Sequence, residues 1–413
     1  MVLGCKVNDY EATYVKNELL NEYQYVSFKE KADIVIIFSC CVTNTAESKT
    51  RKFIHNAINN NPNAYIVVVG CLAQIKPNLN EFKNVNLVIG STNKNEIVDL
   101  IRNGINENKV KELKDVVFEE LLINNYPGKS RAFLKIQDGC NQFCSYCIIP
   151  YARGNERSCK HETILKEAAT LSKEYKEVVL TGIHTGRYND NGYNLYNLLS
   201  DLVKIDSLKT IRLSSIEINE LNDEIIDLMA NNSKIARHLH IPVQACSNEI
   251  LMLMNRPYTI ENYISRIEYI RNKVKDISIS TDLIVGFPNE SDDIFNKSLV
   301  NLDKINFSFI HIFKYSRKSN TKADKMTNHI DESVKKNRSK IIEDKQKLWT
   351  SKFLNNFVDK EVDVLIEKNE DGYSYGYASQ YFYVKVKGLF KIGDIIKVKV
   401  ISINDNIIGE YAS

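Results

Sequence analysis

The sequence predicts an α/β protein in three parts. These are an N-terminal parallel-sheet α/β domain, a partial (β/α)6 barrel, and a small OB-like C-terminal β-barrel. Two stretches of short, continuous, β-branched runs alternate with helical patterns, and such alternation makes parallel sheets covered by helices. A charged interruption separates them at 106–131. After residue 358 the pattern turns to period-two strands bounded by glycines, which reads as a small barrel. The expected divisions are 1–110, 128–330, a linking helix over 331–357, and 358–413.

Composition sets the outer limits. The chain of 413 residues is 43% hydrophobic and 26% charged, ordinary values for a globular protein with more than one core. A net charge of +3 announces no nucleic-acid partner, so any basic surface must come from local segregation. No apolar run approaches the roughly 20 residues that cross a bilayer. The start, Met-Val-Leu-Gly-Cys-Lys, lacks the features of a signal peptide. A cytoplasmic protein without membrane contact is therefore expected, and there nine cysteines point to metal or redox chemistry.

In the first part, Asp33–Phe38, Tyr65–Val69 and Leu87–Ile89 read as buried strands. Asp9–Glu22, Thr45–Asn60 and Lys94–Arg102 read as helices. Cys5, Cys40 and Cys71 fall where strands should end, along the edge at which open α/β sheets bind ligands. The alternative is three buried core cysteines.

The barrel strands are expected at Phe133–Ile136, Val178–Gly182, Thr210–Ser215, His238–Ile241, Ile279–Val285 and Phe307–Phe313. Helices are expected over 161–175, 194–205, 220–231, 247–275 (broken at Pro257) and 291–306. Active sites of such barrels lie at the carboxyl ends of the strands. Gly182, Ser215, Gln244 and Gly286 stand there as candidate cofactor-binding residues, with plain strand-to-loop transitions as the alternative. His238, His240 and His311 read as satisfied core histidines.

The helix over 331–357 carries seven Lys/Arg against four Asp/Glu, with Lys335, Lys336, Arg338 and Lys340 clustered; this reads as a solvated face. Beyond it, Glu361–Ile366, Tyr373–Ala378, Tyr381–Lys387 and Ile395–Ile403 read as strands. Alternation puts Tyr381, Tyr383, Lys385 and Lys387 on one face and Phe382, Val384 and Val386 on the other. Aromatic and basic residues together suit single-stranded RNA; an ordinary polar outer face is the alternative.

The densest chemistry lies in residues 138–151, where Cys140, Cys144 and Cys147 fall within eight positions directly after the first barrel strand. A disulfide is disfavoured by compartment and by the odd thiol count. A zinc site lacks a fourth ligand, for which Cys159 is nearest, and a Cys-x-x-Cys redox pair leaves Cys140 unused. A four-iron cluster held by three thiolates, with one iron open to a cofactor, accounts for the spacing best, and Tyr146 beside the last cysteine joins the candidate cofactor residues.

These residues are similar to a known family. Cys140-x3-Cys144-x2-Cys147 resembles the radical S-adenosylmethionine signature, and LKIQDGCNQFCSYCIIPYARG (134–154) resembles the methylthiotransferases within it. LGCKVNDYE (3–11), LTGIHTG (180–186), RLSSIE (212–217) and HLHIPVQ (238–244) look like the MtaB group, which methylthiolates N6-threonylcarbamoyladenosine-37 at C2 in tRNA. The resemblance implies two 4Fe-4S clusters, one on Cys5, Cys40 and Cys71 and one on Cys140, Cys144 and Cys147. It also implies S-adenosyl-L-methionine as cofactor, a C-terminal TRAM domain, the tRNA anticodon loop as partner, and a low-potential electron donor such as flavodoxin or ferredoxin. No catalytic side chain beyond the cluster ligands is implied. Other products within the family are another tRNA adenosine or a ribosomal-protein aspartate. Cys41 replaces a usual threonine, and Cys159 and Cys246 match no ligand position. The chain also departs from the pattern at its N-terminus, where either the first strand is unusually short or the true start lies upstream, and in Gly376–Tyr381, a weak version of the TRAM motif.

Overall fold

The computed structural model describes residues 1–403 and 407–412. Its first part is a parallel sheet in sequential order, Ile34–Ser39, Tyr65–Gly70, Leu87–Ile89 and Glu107–Lys109. The chain start joins it through a single parallel bridge, Val2 to Phe38. Both faces are covered, which explains the unbroken apolar runs. Val67 and Val69 pack under helices Lys6–Leu19 and Ile97–Arg102, while Ile66 and Val68 pack under Asn44–Asn60. Thr43 caps that last helix, its side chain accepting from the Ala46 N–H.

The second part is an open half-barrel of six parallel strands: Ala132–Lys135, Glu177–Thr181, Thr210–Leu213, His238–His240, Ser278–Val285 and Phe309–Lys314. Its two three-stranded sheets meet through parallel bridges Ile211–Ile235 and Ser215–His240. Alternate residues such as Leu134, Val178, Leu180, Ile211 and Leu239 face the helices in one continuous core. Their neighbours Phe133, Val179, Arg212 and His238 therefore face the lumen. The helix expected over 247–275 is divided into Asn248–Leu253 and Ile260–Lys273 around Pro257.

The third part is a closed five-stranded barrel, Glu361–Glu370, Tyr373–Ala378, Tyr383–Lys387, Ile407–Tyr411 and Ile395–Ser402. Its pairings are antiparallel except where Tyr383–Lys387 meets Ile407–Tyr411. Among the described residues no helix is long and apolar enough to cross a membrane.

Four sequence expectations are corrected. The charged stretch 106–131 is no simple linker: Glu107–Lys109 is a sheet strand, and Leu121, Ile123 and Tyr126 are buried in the half-barrel core. The basic run on helix Glu332–Asn355 is not one solvated face. Lys335 and Arg338 are buried, Arg338 binding Glu290 at 2.7 Å and Asp292 at 2.8 Å, while Lys336 and Lys340 are exposed. Tyr381 lies outside its strand, in a turn with φ 69°, and its ring stacks on His238 at 4.8 Å. Finally, the barrel has a fifth strand, Ile407–Tyr411, which carries no clear alternation.

Glu167 gives this core a pH dependence. Burial pushes its carboxyl up to about 8, against the opposing Ile123 N–H and Tyr10 hydroxyl contacts. The unfolded chain ionises near 4.5, so from there to about pH 8 the unfolded state binds fewer protons and stability declines as pH rises. The slope is at most about 1.4 kcal/mol per pH unit. Glu167→Gln is expected to flatten that decline, measured by denaturant midpoints from pH 5 to 8; an unchanged slope refutes the assignment.

Candidate active site

The loop carrying Cys140, Cys144 and Cys147 is closed by a short ribbon in which Gln137–Asp138 pairs with Arg157–Ser158. Gly139 makes this possible: at φ +75° a Cβ there would stand 1.9 Å from the Asn155 carbonyl oxygen. The loop's own backbone serves the sulfurs. Gln142 N–H donates to Cys140 Sγ and Ile149 N–H to Cys147 Sγ, each at 3.4 Å. Arg256 Nη1 donates to Cys144 Sγ at 3.4 Å, and His184 Nδ1 stands 3.5 Å from Cys140 Sγ. Burial would neutralise His184, but Cys140, Glu156 and Glu220 outweigh it and hold the imidazole charged up to about 12. Every sulfur of the triad thus faces a donor, as thiolates require.

Cys5, Cys40 and Cys71 all stand at carboxyl ends of the first sheet's strands. Gly4, at φ +98°, lets the chain start pass against Cys40, where a Cβ would lie 2.9 Å from its sulfur. The thiols lie close enough that Cys71 raises both Cys5 and Cys40, although burial is the larger cause and takes Cys40 to about 11. Burial likewise takes Cys147 to about 12. Such thiols stay protonated until a cation displaces the proton, the usual behaviour of metal ligands. Cys41 packs with Leu72, Ile148 and Ala152, and Cys159 and Cys246 are buried in the half-barrel core.

Arg153 joins the two triads. It sits at the end of helix Ile149–Arg153, directly after the cysteine loop, and is wholly buried. Its Nε donates to Cys71 Sγ at 3.3 Å and its Nη2 to Asn8 Oδ1 at 2.6 Å. Its Nη1 pairs with Glu11 at 2.7 Å and Asp138 at 3.4 Å. Lys135 bridges the same carboxylates at 2.8 and 2.7 Å, Arg157 adds a contact to Asp138 at 3.0 Å, and Lys94 lies 3.8 Å from Glu11 and 3.9 Å from Glu119. Burial would raise Glu11, but Arg153, Lys135 and Lys94 hold it at about 2. Arg153 is the cation of this network that reaches Cys71. A negatively charged thiolate-bound group is its natural counterpart.

The donor sets fit a cluster better than a single ion. Four sulfurs about 2.3 Å from one zinc would lie roughly 3.8 Å apart. Among the described residues, the donor groups that close to within 4.8 Å include neither cysteine triad. They do include Cys140 with Glu156 and His184, and His240 with Asp282 and His311.

The two triads lie close together, Cys71 packing with Ile148 and Ala152 just beyond Cys147. Cys5 and Lys6 are solvent-accessible yet crowded enough that burial shifts both; Lys6 falls to about 8, with Arg212 and Arg131 adding to the effect. That combination marks groups facing a deep cavity. The cavity, about 340 Å³, is lined by Lys6, Arg131, Phe133, Arg212, Tyr377 and Tyr381 among others, and so touches all three parts of the chain. His240 is half-buried and His311 exposed, so both line the lumen rather than the core expected of them; only His238 is buried. Phe309 and Phe313 face the same way, each 43% exposed.

The other candidate residues are scattered around this lumen. Burial, with Cys144 and Cys147 adding to it against the opposing Arg256, keeps the Tyr146 hydroxyl protonated. Ser215 is exposed at the third strand's end, and Gln244 takes φ 62° beside the fifth. Gly182 and Gly286 have local reasons to be glycine: a Cβ would meet the Gln137 carbonyl oxygen at 2.9 Å or Lys335 Cγ at 2.3 Å. Arg153, Glu11, Arg256 and His184 escaped sequence reasoning, because no spacing rule links residues that meet only through the fold.

On the C-terminal barrel, Tyr377 stacks on Tyr381 at 4.7 Å and Tyr375 on Tyr383 at 6.1 Å, with Lys385 over Tyr373 at 4.0 Å. Arg131 lies 5.5 Å from the Tyr377 ring and Arg212 4.9 Å from Tyr381. The aromatic track therefore runs to the cavity mouth.

Residues 134–299 match the radical SAM superfamily, and residues 1–90 match an uncharacterized protein family, UPF0004. The chain is 37% identical to the threonylcarbamoyladenosine tRNA methylthiotransferase MtaB of Aquifex aeolicus, over 96% of this chain and 98% of that protein. The Bacillus subtilis protein of the same name is 36% identical, over 97% and 92%. A tRNA-2-methylthio-N(6)-dimethylallyladenosine synthase of Thermodesulfovibrio yellowstonii is 34% identical, over 96% and 94%. Among solved structures, the methyltransferase TsrM of Kitasatospora setae, with cobalamin and a 4Fe-4S cluster bound, shares the fold at TM-score 0.59 and 14% identity, covering 76% of this chain and 73% of that one.

Arg153→Met would leave Glu11 and Asp138 short of a cation in a dry site. Breaking such a network is expected to cost about 3–5 kcal/mol. Denaturant unfolding of the iron-free protein measures it, and a loss below about 1 kcal/mol refutes the structural role of the network.

Proposed function

The chain belongs to the radical S-adenosylmethionine methylthiotransferases, and we propose that it adds a methylthio group to C2 of N6-threonylcarbamoyladenosine-37 in tRNA. What supports this reading is the closeness of the two cysteine triads, Arg153 donating to Cys71 from the helix after the Cys140–Cys147 loop, together with the aromatic and basic track at the cavity mouth. The names of the relatives above 35% identity support this base. A dimethylallyladenosine substrate is the second reading, supported by the relative at 34%.

In this assignment Cys140, Cys144 and Cys147 hold one 4Fe-4S cluster, and Cys5, Cys40 and Cys71 hold the other. When bound, the first cluster with S-adenosyl-L-methionine supplies one-electron cleavage of the cofactor's carbon–sulfur bond, and the second carries the sulfur to be transferred. The residues of the chain do the rest. Arg256 and His184 donate to Cys144 and Cys140 and offset thiolate charge. Arg153 does the same at Cys71 while fixing the two sites relative to each other. Tyr146, Gly182, Ser215, Gln244 and Gly286 we assign to the surroundings of S-adenosyl-L-methionine, at the carboxyl ends of the strands. The lumen excludes water and competing hydrogen donors, the usual share of a protein in cofactor chemistry.

C2 lies on the base edge, so adenosine-37 must be splayed from its neighbours, which is cheap in an anticodon loop. Tyr373, Tyr375, Tyr383 and Lys385 provide stacking surface and charge for the flanking nucleotides. We assign residues 1–110, 128–330, 331–357 and 358–413 as the sulfur-cluster domain, the radical barrel, the linking helix and the TRAM domain. A low-potential flavodoxin or ferredoxin would supply electrons, and tRNA places the work in the cytoplasm.

Anaerobically reconstituted protein, given reductant, S-adenosyl-L-methionine and threonylcarbamoyladenosine-containing tRNA, is expected to yield the methylthio nucleoside by mass spectrometry. Cys144→Ala should abolish cofactor cleavage. Cys71→Ala should retain cleavage, hold half the iron and form no methylthio product. Unmodified tRNA with the intact protein would sink the reading. Tyr383→Ala is expected to weaken tRNA binding roughly five- to tenfold, in keeping with about 1–3 kcal/mol per stacked base; unchanged affinity in a filter-binding titration refutes the track.

A further inference from the structure

We infer that Lys6 selects the base by pairing its ammonium with the carboxylate of the threonylcarbamoyl group; this rests on the substrate reading above. Lys6 follows Cys5 directly and projects into the cavity where the three parts of the chain meet. The other cations there already have partners. Arg131 pairs with Glu177 at 3.1 Å and with Glu367, Arg212 pairs with Glu177 at 3.0 Å, and Lys129 pairs with Asp9. Among the described residues no carboxylate pairs with Lys6, so the cavity carries one cation awaiting an anion. Lys6 is solvent-accessible and, among the described residues, without an ion-pair partner, so its ammonium is open to a ligand carboxylate.

The chemistry of adenine places that carboxylate. C2 and C6 flank N1 on one edge of the ring, so a base whose C2 faces the cluster that Cys5, Cys40 and Cys71 would hold carries its N6 substituent on that same edge, toward residues beside those cysteines such as Lys6. Phe133, Tyr377 and Tyr381 wall the same cavity with aromatic surface. A neutral N6 substituent would occupy the space but leave Lys6 unpaired. A site built for a polar group rejects an analogue that lacks it far better than an apolar pocket does. Lys6 is therefore a specificity-determining residue.

The test uses reconstituted full-length protein under anaerobic conditions and an anticodon stem-loop RNA carrying threonylcarbamoyladenosine. Its affinity is compared with that of the same RNA whose carboxyl is a methyl ester, for the intact protein, Lys6→Gln and Lys6→Arg. The intact protein is expected to bind the acid at least about tenfold more tightly, as one charge-assisted pair allows. Lys6→Arg should keep that preference. Lys6→Gln should bind both RNAs alike, with its iron content and cluster spectrum unchanged and the fall in kcat/KM residing in KM. Three outcomes overturn the inference: a preference that survives in Lys6→Gln; equal weakening toward both RNAs, which marks a backbone-phosphate contact; and no preference in an intact protein that still methylthiolates the tRNA. If the intact protein leaves this tRNA unmodified, the substrate reading fails and the inference fails with it.

Discussion

Glu11, Arg153, Lys135 and Asp138 form a dry ion network on which both cysteine triads depend. Glu11 belongs to the helix that Cys5 caps, Lys135 and Asp138 to the first barrel strand and its ribbon, and Arg153 to the helix after the cysteine loop. Buried ion pairs are poor sources of net stability, because desolvation takes back most of the Coulombic gain. They are strict about geometry, since any displacement strands a charge. The network therefore works as an alignment device between two domains whose apolar contacts alone would tolerate sliding. Arginine suits the position because its planar fork reaches Glu11, Asn8 and Cys71 at once, which a lysine's single head cannot do.

The same economy of placement recurs at the other end of the lumen. The C-terminal barrel is not an appendage: Tyr381 stacks on His238, Arg212 donates to the Ser379 carbonyl oxygen, and Glu367 and Asp394 pair with Arg131 and Lys176 of the half-barrel. Its aromatic surface is consequently held at a fixed angle to the cavity.

Much of this was legible from residue order. The parallel sheet showed in the β-branched runs, because strands covered on both faces lose their polar alternation. The half-barrel showed in the spacing of strands and helices, and the cysteine loop in three thiols that local geometry alone brings together. The edge position of Cys5, Cys40 and Cys71 was readable too, since carboxyl ends of parallel strands share one edge whatever the helices do. Less visible were segments whose burial comes from distant partners. Leu121, Ile123 and Tyr126 sit in a charged stretch and are covered by a core that their own sequence does not announce. Lys335 and Arg338 resemble their exposed neighbours and are buried because Glu290, Tyr315 and Gly286 come to meet them.

Sequence by itself determined most element types, the spacing of the cysteines and the family, since these depend on periodicity and local motifs. Only the tertiary structure decided which charges neutralise which. Pairings such as Arg153 with Glu11 and Cys71 span 142 and 82 positions, and no local rule governs contacts at that range. It also decided that Cys71 packs beside Ile148 and Ala152, just beyond the Cys140–Cys147 loop. Two sheets and a small barrel must pack before any of those side chains has a neighbour.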